Sequence, residues 1–192
     1  MIKRNNRNEW RVWQDHLHDG IIFFMEFTHI STAWMLFALG NLLGLILVAK
    51  AAEPDWKLEG TAAWQARDSQ AEWVFKDRLW IGGGWFQSYA EPPRDVWATA
   101  DGKAWSLIEK NSPWLHSDLP MNVTFADKMW IMGGWYKGRL SGHSASNQVW
   151  SSSDGVTWNQ VSASAGWSPR LAAGLVEHRG RMWILGGTEN YY

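Results

Sequence analysis

The sequence predicts an all-β fold of four-stranded antiparallel propeller blades, incomplete and preceded by an N-terminal apolar helix. Three observations carry this reading. Tryptophan makes up 17 of the 192 residues, several times ordinary usage, and recurs at near-constant steps. Each step divides into short strands parted by turn residues. An uncharged stretch stands ahead of the first repeat.

That stretch dominates residues 1–51, read as a leader. Between Glu26 and Lys50 the chain holds no Asp, Glu, Lys or Arg, and the apolar segment 30–49 is long enough to cross a bilayer as a helix. Lys3, Arg4, Arg7 and Arg11 precede it, a bias that keeps the N-terminus cytoplasmic. Ala49 and Ala51 occupy the −3 and −1 positions of an A-x-A cleavage site. The preceding stretch, however, carries Glu9, Asp15, Asp19 and Glu26 and is longer than a signal n-region. Two readings stay open, a cleaved signal peptide (with Met25 as an internal start) or an uncleaved membrane anchor. Both send residues 52–192 out of the cytoplasm, to a periplasmic, extracellular or membrane-anchored location.

Beyond Ala52 the chain repeats, in units of about 50 residues, the size of a propeller blade. Trp80, Trp130 and Trp183 are spaced by 50 and 53. Trp64, Trp114 and Trp167 keep the same offsets. Trp56, Trp105 and Trp158 are spaced by 49 and 53, and Trp97 and Trp150 by 53. Such phase marks duplicated supersecondary units, here about 59–108, 109–161 and a truncated 162–192.

Within a unit the elements follow in order. An alternating run (Ala71 to Phe75, Leu171 to Val176) leads to a turn at Lys76-Asp77 or His178 to Gly180. The strand around Trp80, Trp130 or Trp183 ends at paired glycines: Gly83-Gly84, Gly133-Gly134 and Gly186-Gly187. The strand around Trp97 or Trp150 runs into Asp101-Gly102 or Asp154-Gly155, expected as a tight turn. The strand around Trp105 or Trp158 closes the unit. Residues 53–58 read as a lone outer strand. Nothing after Ala52 shows helical periodicity.

On these residues the sequence resembles the kelch-type β-propeller family: the diglycines after an apolar strand, and the aromatic pairs Trp97 with Trp105 and Trp150 with Trp158. Ser153 to Trp158 also resembles the Asp-box turn of sialidase-type propellers, one residue short between Asp and Gly. Closed propellers hold four to eight blades, so residues 52–192, under three units, are expected to belong to a longer protein. The resemblance speaks for fold, since propellers host many unrelated functions.

Composition narrows the function. Net charge is −1, which gives no basic face for nucleic acid, and the absence of Cys removes disulfides, thiolate metal sites and cysteine nucleophiles. No glycine pair has Walker spacing, no histidines have ligand spacing, and no G-x-S-x-G elbow occurs. No catalytic residue, metal ligand or cofactor is assigned. Asp101, Asp154 and the diglycines are read as structural.

The candidate ligand-binding residues are Trp85, Trp135, Tyr136, Arg139 and His143. They follow the diglycines, in loops that leave the sheet on the same rim as the connections carrying Trp64, Trp114 and Trp167. The second unit's loop is longer than the first's, and loops are where function varies. The reading is an exported, non-catalytic module that binds a protein or glycan, touching the membrane through 30–49 if uncleaved. The alternative is part of a propeller enzyme acting on carbohydrate, a sialidase-like hydrolase or an oxidase, with its catalytic set outside this segment. Arg67, Arg94 and Arg170 would have to gather for a sialidase-like site.

Overall fold

The computed structural model describes residues 56–87 and 90–190 with their side chains, preceded by three strands described as backbone. These are β1 (Ile2–Arg4), β2 (Trp10–Val12) and β3 (Ile21–Met25). The apolar segment 30–49 and the cleavage site after Ala51 lie outside the described residues. Among the described residues no helix is long and apolar enough to cross a membrane. β1 pairs with β2, and β3 pairs antiparallel with β4 (Trp56–Thr61). The outer strand expected alone at 53–58 is described over Trp56–Thr61, and it has a partner.

Two blade-like four-stranded antiparallel sheets follow. The first orders β5 (Ala71–Phe75), β6 (Arg78–Gly82), β7 (Val96–Thr99) and β8 (Ser106–Glu109). The second is built from β9 (Met121–Phe125), β10 (Lys128–Met132), β13 (Val149–Ser152) and β14 (Asn159–Ser162). Between β10 and β13 the longer loop folds back as a small hairpin, β11 (Trp135–Tyr136) with β12 (Ser144–Ala145). The third unit contributes β15 (Gly174–His178) and β16 (Arg181–Leu185).

Strand alternation sets the faces: Ala71, Trp73 and Phe75 are buried, while Glu72 and Val74 between them are exposed, the period-two signature of a pleated strand. The first hairpin of every unit turns through two residues in the left-handed region. These are Lys76-Asp77, Ala126-Asp127 and Arg179-Gly180, with φ between 48° and 69°, as a type I′ turn requires. The strand expected over Leu171 to Val176 begins only at Gly174. Leu171 bridges to Thr188 instead, and Ala172 sits at φ 54°. Ser69 and Leu119 repeat that kink at φ 60° and 50°. The kinks link the units through their backbones, Leu119 N–H to Ser69 O at 3.1 Å and Ala172 N–H to Leu119 O at 3.0 Å.

The Asp-Gly pairs form a different turn from the tight one expected. Only Gly102 and Gly155 have positive φ, so no type I′ hairpin forms and each loop is organised by its carboxylate. Asp101 Oδ1 accepts the Lys103 and Ala104 N–H groups, both at 2.9 Å, while Thr99 Oγ1 accepts from Gly102 at 3.0 Å. Asp154 and Ser152 repeat the pattern toward Val156, Thr157 and Gly155. Trp105 and Trp158 then donate their indole N–H to Gly102 O and Gly155 O, each at 3.2 Å. The backbone donors on Asp101 hold its carboxyl down to about 2.

The core lies between blades. Trp73 donates to Trp130 O at 2.9 Å and packs at 5.7 Å on Trp158, which meets Trp114 edge-on at 5.6 Å. Gly155 lies against the Trp80 ring: a Cβ there would fall 2.3 Å from it. Thr124 Oγ1 donates to Val74 O at 2.9 Å, and the Asn122 amide to Glu72 O, stitching β9 to β5. Trp80 is 6% exposed with blade two against it, whereas its counterpart Trp183 in the third unit is 46% exposed. Both still donate across their hairpin, to Phe75 O and His178 O. The repeat therefore fixes each ring within its unit, and the neighbouring blade decides its burial.

Candidate functional site

The diglycines place the rim. Gly83 and Gly133 donate to Asp95 O and Gln148 O, both at 3.1 Å, closing each blade's central strand pair. Gly84 and Gly134 donate to the connection of the following unit, at Ser117 O (2.7 Å) and Arg170 O (2.9 Å). All have positive φ and stand too close to crossing backbone to carry a Cβ. Gly187 approaches Leu171 O and Ala173, while Gly186 has open space beside it. Loop and connection are thereby brought together on one rim.

The candidate residues separate into distinct roles there. Trp135 is 2% exposed; its indole donates to Gly138 O at 2.9 Å, and the His143 ring stacks on it at 5.0 Å. Its ring closes the long loop and is not a face open to solvent. His143 is exposed, with Nδ1 donating to Leu140 O at 3.0 Å. Arg139 is exposed in the turn joining β11 to β12. Trp85, half-buried, belongs to the first blade, where its backbone bridges to Asp68. Trp114, expected at the rim, is 2% exposed in the core. Trp64 packs edge-on against Trp105 at 4.9 Å, so it too is spent on packing.

Tyr136 is the candidate that reaches across the rim. Its hydroxyl donates to Glu91 Oε1 at 2.6 Å, joining the loops of two blades. That bond to a carboxylate pushes the phenol up, so it stays protonated. The ring lies 5.7 Å from that of His116, whose Nε2 is 3.0 Å from Ser144 Oγ, and Lys137 Nζ stands 5.4 Å from the Tyr136 centroid. Burial pushes His116 down to about 4, which makes it a neutral imidazole at physiological pH. His116 and Trp114 line a cavity of about 10 Å³, and each holds a buried ring nitrogen without a protein partner there. That space fits one water. Sequence reasoning does not single out His116, Ser144 or Glu91. The available signal is that His116 shares its connection with the repeated Trp114.

Below the rim, Asp68 and Asp118 occupy equivalent positions, each bridged by backbone to the Trp after a diglycine. Asp118 is 5% exposed. Burial, with the charge of Asp68 adding to it, raises its carboxyl to about 7, partly offset by the Ser69 hydroxyl. The folded chain thus binds this proton more tightly than the unfolded chain. The associated stability is whole below the unfolded value of 3.8 and is lost as pH rises through about 7. Asp118→Asn is expected to stabilise the protein by on the order of 2–4 kcal/mol above about pH 8 and to change little near pH 4. Urea melts across that range check it.

Arg67, Arg94 and Arg170 do not gather. Arg67 chelates Asp95, Arg94 donates to Ser112 O, and Arg170 donates to Gly186 O. Among the described residues no group of three or more His or acidic side chains is placed to hold a metal.

No protein-family model and no curated protein matches the chain. Solved structures do match, among them that of YjhT, at a TM-score of 0.56 and 13% identity over 70% of this chain. That alignment covers 48% of the YjhT chain, so this chain spans about half of its length. The likeness is one of fold, and it agrees with the blade-like four-stranded sheets.

Proposed function

We propose that this chain is a segment of a kelch-type β-propeller that acts as a non-catalytic module binding a glycan at the rim around Tyr136. The observation that carries the reading is the Tyr136–Glu91 bond at 2.6 Å, which joins the loops of two blades beside the His116–Ser144 pair. A half-exposed aromatic face next to a carboxylate acceptor and neutral hydrogen-bonding groups suits a sugar ring, with its apolar face and hydroxyl edge. A neutral His116 favours hydroxyls over anions as partners.

The test is calorimetric titration with a panel of neutral and sialylated oligosaccharides. Tyr136→Ala is expected to weaken a neutral ligand at least tenfold with stability nearly unchanged, as for an aromatic contact residue. Trp135→Ala is expected to lower stability by about 3 kcal/mol or more, because its ring is buried. Binding that is indifferent to Tyr136, or absent across the panel, overturns the reading.

A further inference from the structure

We propose that one buried water joins Trp114 Nε1 to His116 Nδ1 and locks His116 as its Nε2–H tautomer, which leaves the Ser144 hydroxyl free to donate to a ligand at the rim. Trp114 and His116 belong to the connection leading into β9 and line the same cavity of about 10 Å³. Their buried ring nitrogens, Trp114 Nε1 and His116 Nδ1, have no protein partner. Leaving such groups dry is costly, and a polar-walled space of this size holds one water. Ser146 lines the cavity too and is 4% exposed. Its Oγ accepts the Gln148 N–H at 3.0 Å, so its own proton is available to the same water.

Counting hydrogens fixes the tautomer. The indole N–H can only donate, and with the Ser146 hydroxyl it fills both lone pairs of the water. The water's own protons then need acceptors, and His116 Nδ1 is a ring nitrogen left without one to offer its lone pair to. Were Nδ1 protonated, three donors would converge on one oxygen. His116 therefore carries its proton on Nε2, 3.0 Å from Ser144 Oγ, and the serine oxygen accepts it. Burial already holds His116 down to about 4, and the water opposes a second proton further.

The polar set is particular to the second unit. In the first, Ala66 and Pro93 stand where the second has His116 and Ser146, while Trp64 repeats Trp114. The water thus belongs to the rim that carries Tyr136 and not to the repeat. Tyr136 stands opposite Ser144 in the β11–β12 ladder and commits its proton to Glu91 Oε1, so Tyr136 and Glu91 can only accept. In the locked tautomer the exposed Ser144 keeps its proton, which gives the rim one neutral donor beside two acceptors. In the other tautomer that proton is spent on His116 Nε2. A sugar suits the first pattern, one hydroxyl donating to Glu91 and a neighbouring oxygen accepting from Ser144. This consequence rests on the glycan-binding function proposed for the rim; the water and the tautomer do not.

The test needs no ligand. In the full chain labelled with heavy nitrogen, long-range proton–nitrogen correlation reads which ring nitrogen of His116 is protonated at neutral pH. His116→Gln identifies its signals among those of the 6 histidines. The expected result is a protonated Nε2 and a bare Nδ1, together with a cross-relaxation peak from the Trp114 indole proton to a long-lived water. Trp114→Phe keeps a ring but removes the donor, and is expected to raise the Nδ1–H form to on the order of a tenth of the population. Ser144→Ala is expected to leave the tautomer in place. A protonated Nδ1 in the unmodified chain, no peak to water, or a tautomer that a folded Trp114→Phe leaves unmoved would each overturn the proposal. So would a tautomer lost in Ser144→Ala, which would make the serine the lock. Should Trp114→Phe fail to fold, the unmodified chain and Ser144→Ala still decide it. The expected tautomer in a protein that binds no oligosaccharide removes the glycan function alone.

Discussion

Gly134→Ala is expected to unfold the protein or cost at least about 4 kcal/mol, whereas Gly180→Ala should cost about 1 kcal/mol. Both glycines have positive φ, +92° and +69°, and alanine pays on the order of 1 kcal/mol for that conformation at either site. The difference is contact. At Gly134 a Cβ would fall 2.2 Å from the His116 carbonyl oxygen and 3.0 Å from its carbon, both backbone atoms that cannot rotate aside. At Gly180 nothing lies within 4 Å. Relief at Gly134 requires moving the connection that carries His116 and Asp118, so the rim is lost with the fold. Urea unfolding followed by tryptophan fluorescence compares the two. Equal costs would mean that the diglycine is kept for conformation alone and that the connection yields freely.

The blades are legible in the sequence because their determinants are local and repeated. Tryptophan at steps of 50 and 53 marks positions whose indole bonds recur residue for residue, Trp80 to Phe75 O and Trp130 to Phe125 O. The Asp-Gly pairs reveal where the chain turns, but not the form of the turn. Composition favours positive φ at Gly without revealing that the carboxylate at Asp101 organises a longer loop. The partner of β4 is illegible, because β3 lies far upstream across an apolar segment and its pairing is a long-range fact.

The rim is legible only as a location. Loops after the diglycines do meet the connections between units, yet the residues that meet are Tyr136, Glu91, His116 and Ser144. A repeat marks positions that keep their residue from unit to unit, and these do not. His116 aligns with Ala66, and Tyr136 aligns with Phe86, which has no hydroxyl to offer. Trp135 stands out in the sequence because it repeats Trp85, and a residue held in phase by duplication is more often packing: it is buried under His143.

Arg67→Met is the second large effect, with an expected loss of about 3–5 kcal/mol. The Arg67 side chain is 4% exposed and binds both Asp95 oxygens, at 2.5 and 2.9 Å, while also donating to Gly83 O at 2.9 Å. Removing it strands a carboxylate that is itself only 16% exposed and keeps a single side-chain donor, Trp97 Nε1 at 2.8 Å. The second unit shows the neutral solution to the same geometry. Ser117 stands where the first has Arg67, and Gln148 replaces Asp95, still accepting from Trp150 Nε1 at 3.1 Å. The double variant Arg67→Ser/Asp95→Gln copies that arrangement and should recover at least half of the loss, since both charges leave together. Urea melts of the two variants decide it. Should the double variant be as unstable as Arg67→Met, the arginine acts through its bond to Gly83 O and its packing, and the ion pair contributes little.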